Sequence, residues 1–160
     1  MIKKLASMLI IALLIAIPLT PTAHAAESPG DVATRITASV VERINAAPHL
    51  ELNEGLGRVA AACARIVAGF SADSRRAFDF QTLPNGQRIY SLVAEQGLAV
   101  RGFNYSIFYG DFADWIAPTY EFTSKISNPH FAHAGVAVYI AGDGMPITVI
   151  VYSRTMYGWG

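Results

Sequence analysis

Ala134-Gly135-Val136-Ala137-Val138-Tyr139-Ile140, the string Ala141-Gly142-Asp143-Gly144, and then Ile147-Thr148-Val149-Ile150-Val151-Tyr152 decide the fold. The two outer stretches are rich in β-branched and aromatic residues, and the glycines between them supply turn backbone, so the C-terminal part reads as an antiparallel hairpin. Upstream, Phe103, Tyr105, Ile107 and Tyr109 alternate with Gly102, Asn104, Ser106 and Phe108, the two-residue period of a further strand. Between that strand and the hairpin, Asp111 and Asp114 can cap a helix through Trp115, which Pro118 limits. Thr119 restarts it through Phe122 and Ile126, and Asn128-Pro129 ends it.

Further toward the N-terminus the period becomes helical. Leu83-Pro84-Asn85-Gly86 is turn chemistry that offers Asn85 as a cap, Ile89, Leu92 and Val93 share one face, and Gly97 is placed to end that short helix in the left-handed conformation. Leu52, Leu56, Val59, Ala60, Cys63, Ile66, Val67 and Phe70 recur every three or four residues, with Arg58 and Arg65 off that face. Ser28-Pro29-Gly30-Asp31 starts a first helix whose apolar stripe is Val32, Ile36, Val40 and Ile44 and which ends before Pro48. The stretch from Ser71 to Gln81 has no clear period. The order helix, helix, helix, strand, helix, strand, strand predicts an α+β fold: a three-layer α-β-α sandwich around a small, mainly antiparallel sheet.

The 160 residues suffice for one ordinary core, expected over residues 28–160. Twelve Lys plus Arg balance twelve Asp plus Glu, so no basic excess is available for a phosphate backbone, and nucleic acid is not expected as a partner. Lys3 and Lys4 precede an apolar run from Met8 to Ile17, Pro18 and Pro21 follow, and Ala23-His24-Ala25 has the small residues a signal peptidase reads. Residues 1–25 therefore read as a secretory signal peptide, and its apolar run is too short to span a bilayer. The mature chain is expected to have no transmembrane segment and to be secreted or periplasmic. Cys63 is the only cysteine, so no internal disulfide can form.

Ile126-Ser127-Asn128-Pro129-His130-Phe131 followed by Ala134-Gly135-Val136-Ala137-Val138 resembles the Ile-x-Asn-Pro-x-Phe segment and Gly-Val-Gly-Val strand of the CAP superfamily. That SCP-like extracellular domain is shared by cysteine-rich secretory proteins, antigen 5 and pathogenesis-related 1 proteins. Weaker echoes are the Ala-rich second helix, Pro84-x-Gly86, Gly102-Phe103-x-Tyr105, and Trp115 ahead of the Asn-Pro turn, so the resemblance runs from about Val32 to Arg154. It implies a central cleft, where many members hold a divalent metal with two His and one or two Glu. At the matched positions this chain has Cys63, Gln81, Gly110-Asp111-Phe112 and Thr119-Tyr120-Glu121-Phe122, with no imidazole. The resemblance thus implies a divergent member with a degenerate metal site and no cofactor. Cys63, Gln81, Asp111, Glu121 and Phe122 are its cleft-lining candidates, and no catalytic residue is assigned.

Two readings of function follow. One is a binding or interaction module whose partner is a lipid, a cell-wall fragment or another exported protein. The aromatic concentration at Phe103, Tyr105, Tyr109, Trp115, Tyr120, Phe122 and Phe131 could grip an apolar or sugar-like ligand, or simply fill the layer between sheet and helices. The other is an envelope-directed thiol hydrolase with Cys63 as nucleophile and His130 or His133 as base, set against the plain role of Cys63 as a core thiol on an apolar helix face. His130 and His133 could share a metal only with help from Asp111, Glu121 or His49. Asp111 serves equally as a helix cap, Glu121 as a solvated charge, and Gln81 as a loop hydrogen-bonder. A third reading is a scaffold held on the cell surface by a neighbour, with Tyr157-Gly158-Trp159-Gly160 as an exposed docking peptide.

Overall fold

The computed structural model describes residues 26–76 and 82–157. In chain order these form α1 (Pro29–Asn45), β1 (Glu51–Leu52), α2 (Glu54–Ala68), α3 (Ala72–Arg76), α4 (Ile89–Glu95), β2 (Ala99–Arg101) and β3 (Asn104–Tyr109). A π-turn (Phe112–Ile116), α5 (Tyr120–Ile126), β4 (His133–Ile140), β5 (Pro146–Ser153) and β6 (Thr155–Tyr157) follow. The main sheet has the order β1-β4-β5-β3, with β5 antiparallel to both of its neighbours. Its central strand is buried throughout from Ile147 to Ser153.

The alternation along β5 builds the layers. Ile147, Val149 and Val151 join Leu56, Val59, Ala60, Cys63, Val67 and the α4 residues Ile89, Leu92 and Val93 in one apolar cluster. Ile150 and Tyr152 join Ile36, Val40 and Ile44 of α1, Phe112 and Ile116 of the π-turn, and Phe122 and Ile126 of α5 in the other. The fold is the expected α+β sandwich, with α2 and α4 on one face and α1 and α5 on the other. A one-residue slip of β5 would exchange the two sets, so the register is fixed by both helix layers at once.

Gly135 sets how close α2 lies to the sheet. A Cβ there would stand 2.2 Å from the Gly57 amide nitrogen and 2.2 Å from the Leu56 carbonyl carbon, so helix backbone rests directly on strand backbone. At the distal end Arg75 is buried, donating to the Phe70 carbonyl (2.9 Å) and pairing with Asp143 in the β4–β5 turn. Removing either member of that pair would leave the other charge poorly compensated.

Several local expectations need correction. Leu52 is not helical: Glu51–Leu52 pairs parallel with His133 and Ala134, because Asn53 accepts from the Leu56 amide (3.0 Å) and starts α2 only after it. Asn85 does not cap α4. Its side chain accepts from the Gln87 amide (3.0 Å) and closes the turn, and α4 begins after Arg88, which gives no side-chain cap. The helix expected from Asp111 is a single π-turn, closed by the Ala117 amide on the Phe112 carbonyl (2.8 Å), and Thr119 caps a separate α5. The stretch after Ser71, without a clear period in sequence, contains α3. Tyr157 is not part of a free tail, since β6 pairs antiparallel with β2 in a second, two-stranded sheet. Gln81, residues 1–25 and residues 158–160 lie outside the described residues.

Candidate functional site

The residues expected around one cleft are divided by the sheet. Cys63 sits on the core face of α2 with no exposed surface, and burial among apolar side chains pushes its thiol up to about 12. Phe122 is equally buried, but in the opposite layer, edge-on to Phe108 and Phe112 with centroids 6.2 and 5.5 Å away. Phe122 and Cys63 therefore fill cores; neither side chain presents a surface to a cleft.

Asp111 starts the π-turn by accepting from the Ala113 amide, and Arg35 of α1 grips its carboxylate as a fork, at 3.2 Å to Oδ1 and 2.8 Å to Oδ2. Arg35 also binds Glu27 (3.0 Å). The guanidinium holds the Asp111 carboxyl below the usual range, and its own pKa is raised in turn. Asp111 is thus an ionic tie between α1 and the end of β3. Glu121 is an exposed member of an i,i+4 pair with Lys125 (3.2 Å), whose ammonium also donates to the Tyr105 carbonyl (2.7 Å) and to Asn104 (3.1 Å). Lys125 so occupies an outward carbonyl of edge strand β3.

The histidines are dispersed. His130 is exposed, its amide held by Asn128 (3.0 Å), His133 opens β4 with Nδ1 3.9 Å from Glu51, and His49 lines a different recess with Arg43. Among the described residues no three His, Cys, Asp or Glu side chains come together as a metal-binding group. Tyr152 is fully buried against Phe131 (centroids 5.3 Å apart), and desolvation pushes its phenol up. The Ser106 hydroxyl offsets part of that penalty without reaching hydrogen-bond geometry.

One surface does combine ring faces, a charge and open space. Odd-numbered residues of β3 and its lead-in project toward the α2 and α4 layer, so Phe103 and Tyr105 stand beside the first turn of α4. Tyr90 and Phe103 meet edge-to-face at 5.3 Å, and Phe103 and Tyr105 lie 6.2 Å apart. With Arg88 and Ile89 they line a recess of about 350 Å³, open to solvent. Gly102 brings the chain into this shelf: its φ is +61°, and the Arg154 side chain occupies the place a Cβ would take, 2.4 Å away. Tyr90 is 58% exposed although large and aromatic, and Arg88 has no ion pair among the described residues.

Phe103 and Tyr105 belong to the aromatic set expected from the sequence; Arg88 and Tyr90 do not. The signal for them was available in the segment that forms α4. Ile89, Leu92 and Val93 define its buried face, which leaves Tyr90 as an aromatic on the wet side, beside a cationic neighbour.

The chain matches no protein-family model and no curated protein sequence. Among solved structures it is similar to an outer surface protein from Borrelia burgdorferi, at a TM-score of 0.55 and 15% sequence identity. The match covers 78% of this chain and 95% of that one. At that identity the likeness concerns the fold. No helix among the described residues is long and apolar enough to cross a membrane.

Proposed function

We propose that this chain is an exported binding module, distantly CAP-like, whose ligand site is the shelf formed by Arg88, Tyr90, Phe103 and Tyr105. The observation that carries the reading is Tyr90, a ring left largely in water at the mouth of an aromatic recess, next to a guanidinium that has no ion pair among the described residues. Tyr120 and Tyr139 are exposed rings as well, and Tyr90 differs from them in meeting Phe103 edge-to-face at the mouth of the recess. Export is supported by Lys3, Lys4 and the short apolar run ahead of Ala23-His24-Ala25, and by the outer-surface character of the structural neighbour. Partners among lipids, cell-wall fragments and exported proteins all fit a binding module, and the degenerate metal positions favour recognition over metal chemistry.

The test is calorimetric titration of the mature chain with soluble glycan fragments, lipid vesicles and peptides, in parallel with Tyr90→Ala. Saturable binding that weakens about tenfold in Tyr90→Ala is expected, with the fold retained by circular dichroism and only the modest loss of melting temperature that losing the Phe103 contact brings. Binding indifferent to Tyr90→Ala would place the ligand elsewhere and remove the shelf from the account. Zinc titration addresses the metal positions: stoichiometric, submicromolar uptake would count against their degeneracy.

A further inference from the structure

The shape and charge of the shelf narrow its ligand class, an argument that rests on the binding-module reading above. An alkyl chain gains by being enclosed, and this recess is open along one side, so much of a lipid tail laid in it would stay in water. A sugar ring is suited to such a place. One face presents C–H groups to the negative face of an aromatic ring, while its hydroxyls stay hydrated on the open side. The recess of about 350 Å³ lies at the small end of ligand sites, which fits one or two rings better than a long chain.

Charge then separates acidic from neutral sugars. Arg88 stands at the N-terminal flank of α4, exposed, with its side chain neither capping the helix nor paired with a carboxylate among the described residues. Arg35, Arg58 and Arg75 have acidic partners, whereas Arg43, Arg65 and Arg154 lack them among the described residues as Arg88 does; what sets Arg88 apart is its place beside the aromatic recess. A guanidinium presents parallel N–H donors that match a carboxylate, and a neutral ring would leave them to water. We infer that the shelf binds a pyranose ring carrying a carboxylate, with one sugar face stacked on Tyr90, its edge against Phe103, and the acid paired with Arg88.

The experiment compares two acid sugars with their neutral counterparts. Cellobiouronate, in which the acid replaces a hydroxymethyl group, is set against cellobiose. N-acetylmuramic acid, in which it hangs from a lactyl ether, is set against N-acetylglucosamine. The expected result is that at least one acid binds about tenfold tighter than its counterpart and that Arg88→Gln abolishes this preference. Arg65→Gln, which changes an exposed arginine elsewhere, should leave it intact. Whichever acid shows the preference identifies where the carboxylate sits. Equal binding of acid and neutral sugars, an unchanged preference in Arg88→Gln, or no saturable binding of either acid would overturn the inference. If neutral sugars or vesicles bind instead and Tyr90→Ala still weakens them, the acid is wrong and the shelf stands. If Tyr90→Ala leaves all binding unaltered, the shelf itself is wrong.

Discussion

On one side of the sheet, α2 lays its backbone against Gly135 and fills the rest with Val59, Ala60, Cys63 and Val67; on the other, α1 and α5, the latter through Phe122, are met by Phe108, Phe112 and Tyr152. The fully buried part of the first layer is aliphatic apart from the Cys63 thiol and set by close backbone approach, with Phe103, Tyr105 and Tyr109 only partly buried beside it. The second is aromatic, contains the buried Tyr152 and Ser106 hydroxyls, and is tied at its rim by Arg35–Asp111 and Lys125–Glu121. The difference teaches that shape alone fixes the α2 layer, whereas ring packing and charge share the work opposite.

Four substitutions, with Gly142→Ala as a control, break or sharpen that contrast. Gly135→Ala should cost the most, more than about 3 kcal/mol in chemical denaturation, because the added methyl meets helix backbone that cannot rotate away. Gly142→Ala, with nothing within 4 Å of its Cβ, should stay within about 0.5 kcal/mol. Similar losses at the two sites would mean that α2 is not seated as described. Cys63→Ser comes next, at about 2 kcal/mol, since a hydroxyl enters an apolar site. In the same layer the native thiol should resist iodoacetamide in mildly alkaline buffer and react only on unfolding. Rapid labelling of the folded chain would contradict its burial.

Tyr152→Phe probes the second layer and should cost less than about 1 kcal/mol, because the hydroxyl it removes lacks a full hydrogen bond. A loss above that would reveal a stronger tie to Ser106 than the geometry provides. The smallest effect belongs to Asp111→Asn. The carboxyl is held below its unfolded value of about 3.9, so its contribution is present above that pH and lost as pH falls through the folded value. The wild type should therefore melt slightly higher than Asp111→Asn near neutrality, the two curves should converge in acid, and added salt should narrow the gap. A gap that widened in acid would reverse the assignment.

The apolar stripes of both layers were largely legible in the sequence. Ile36, Val40 and Ile44, the α2 stripe, and the alternation of Ile147, Val149 and Val151 are periodic signals that tertiary packing then used directly. The ends of elements were less legible, for local reasons. Leu52 fits the helical period but pairs as a strand because Asn53 caps after it, and the β2–β6 pairing joins segments far apart in the chain, beyond any periodic window. The expected cleft failed for a different cause. Cys63 and Phe122 occupy matching positions in sequence strings, yet strand alternation and helix placement send them to opposite faces. The shelf was half visible through Phe103 and Tyr105, and needed Gly102 and the start of α4 to bring Arg88 and Tyr90 beside them.

Strand β6 has a practical bearing on how the chain can be altered. It zips onto β2, and the Arg154 amide bonds the Arg101 carbonyl (2.8 Å) just ahead of Gly102 and Phe103. Cutting after Arg154 would remove β6 and leave β2 unpaired just ahead of Phe103, so a shortened protein that loses ligand would have lost support for the shelf as well as its last residues. Point changes at single rings are the cleaner instrument for mapping what this surface holds.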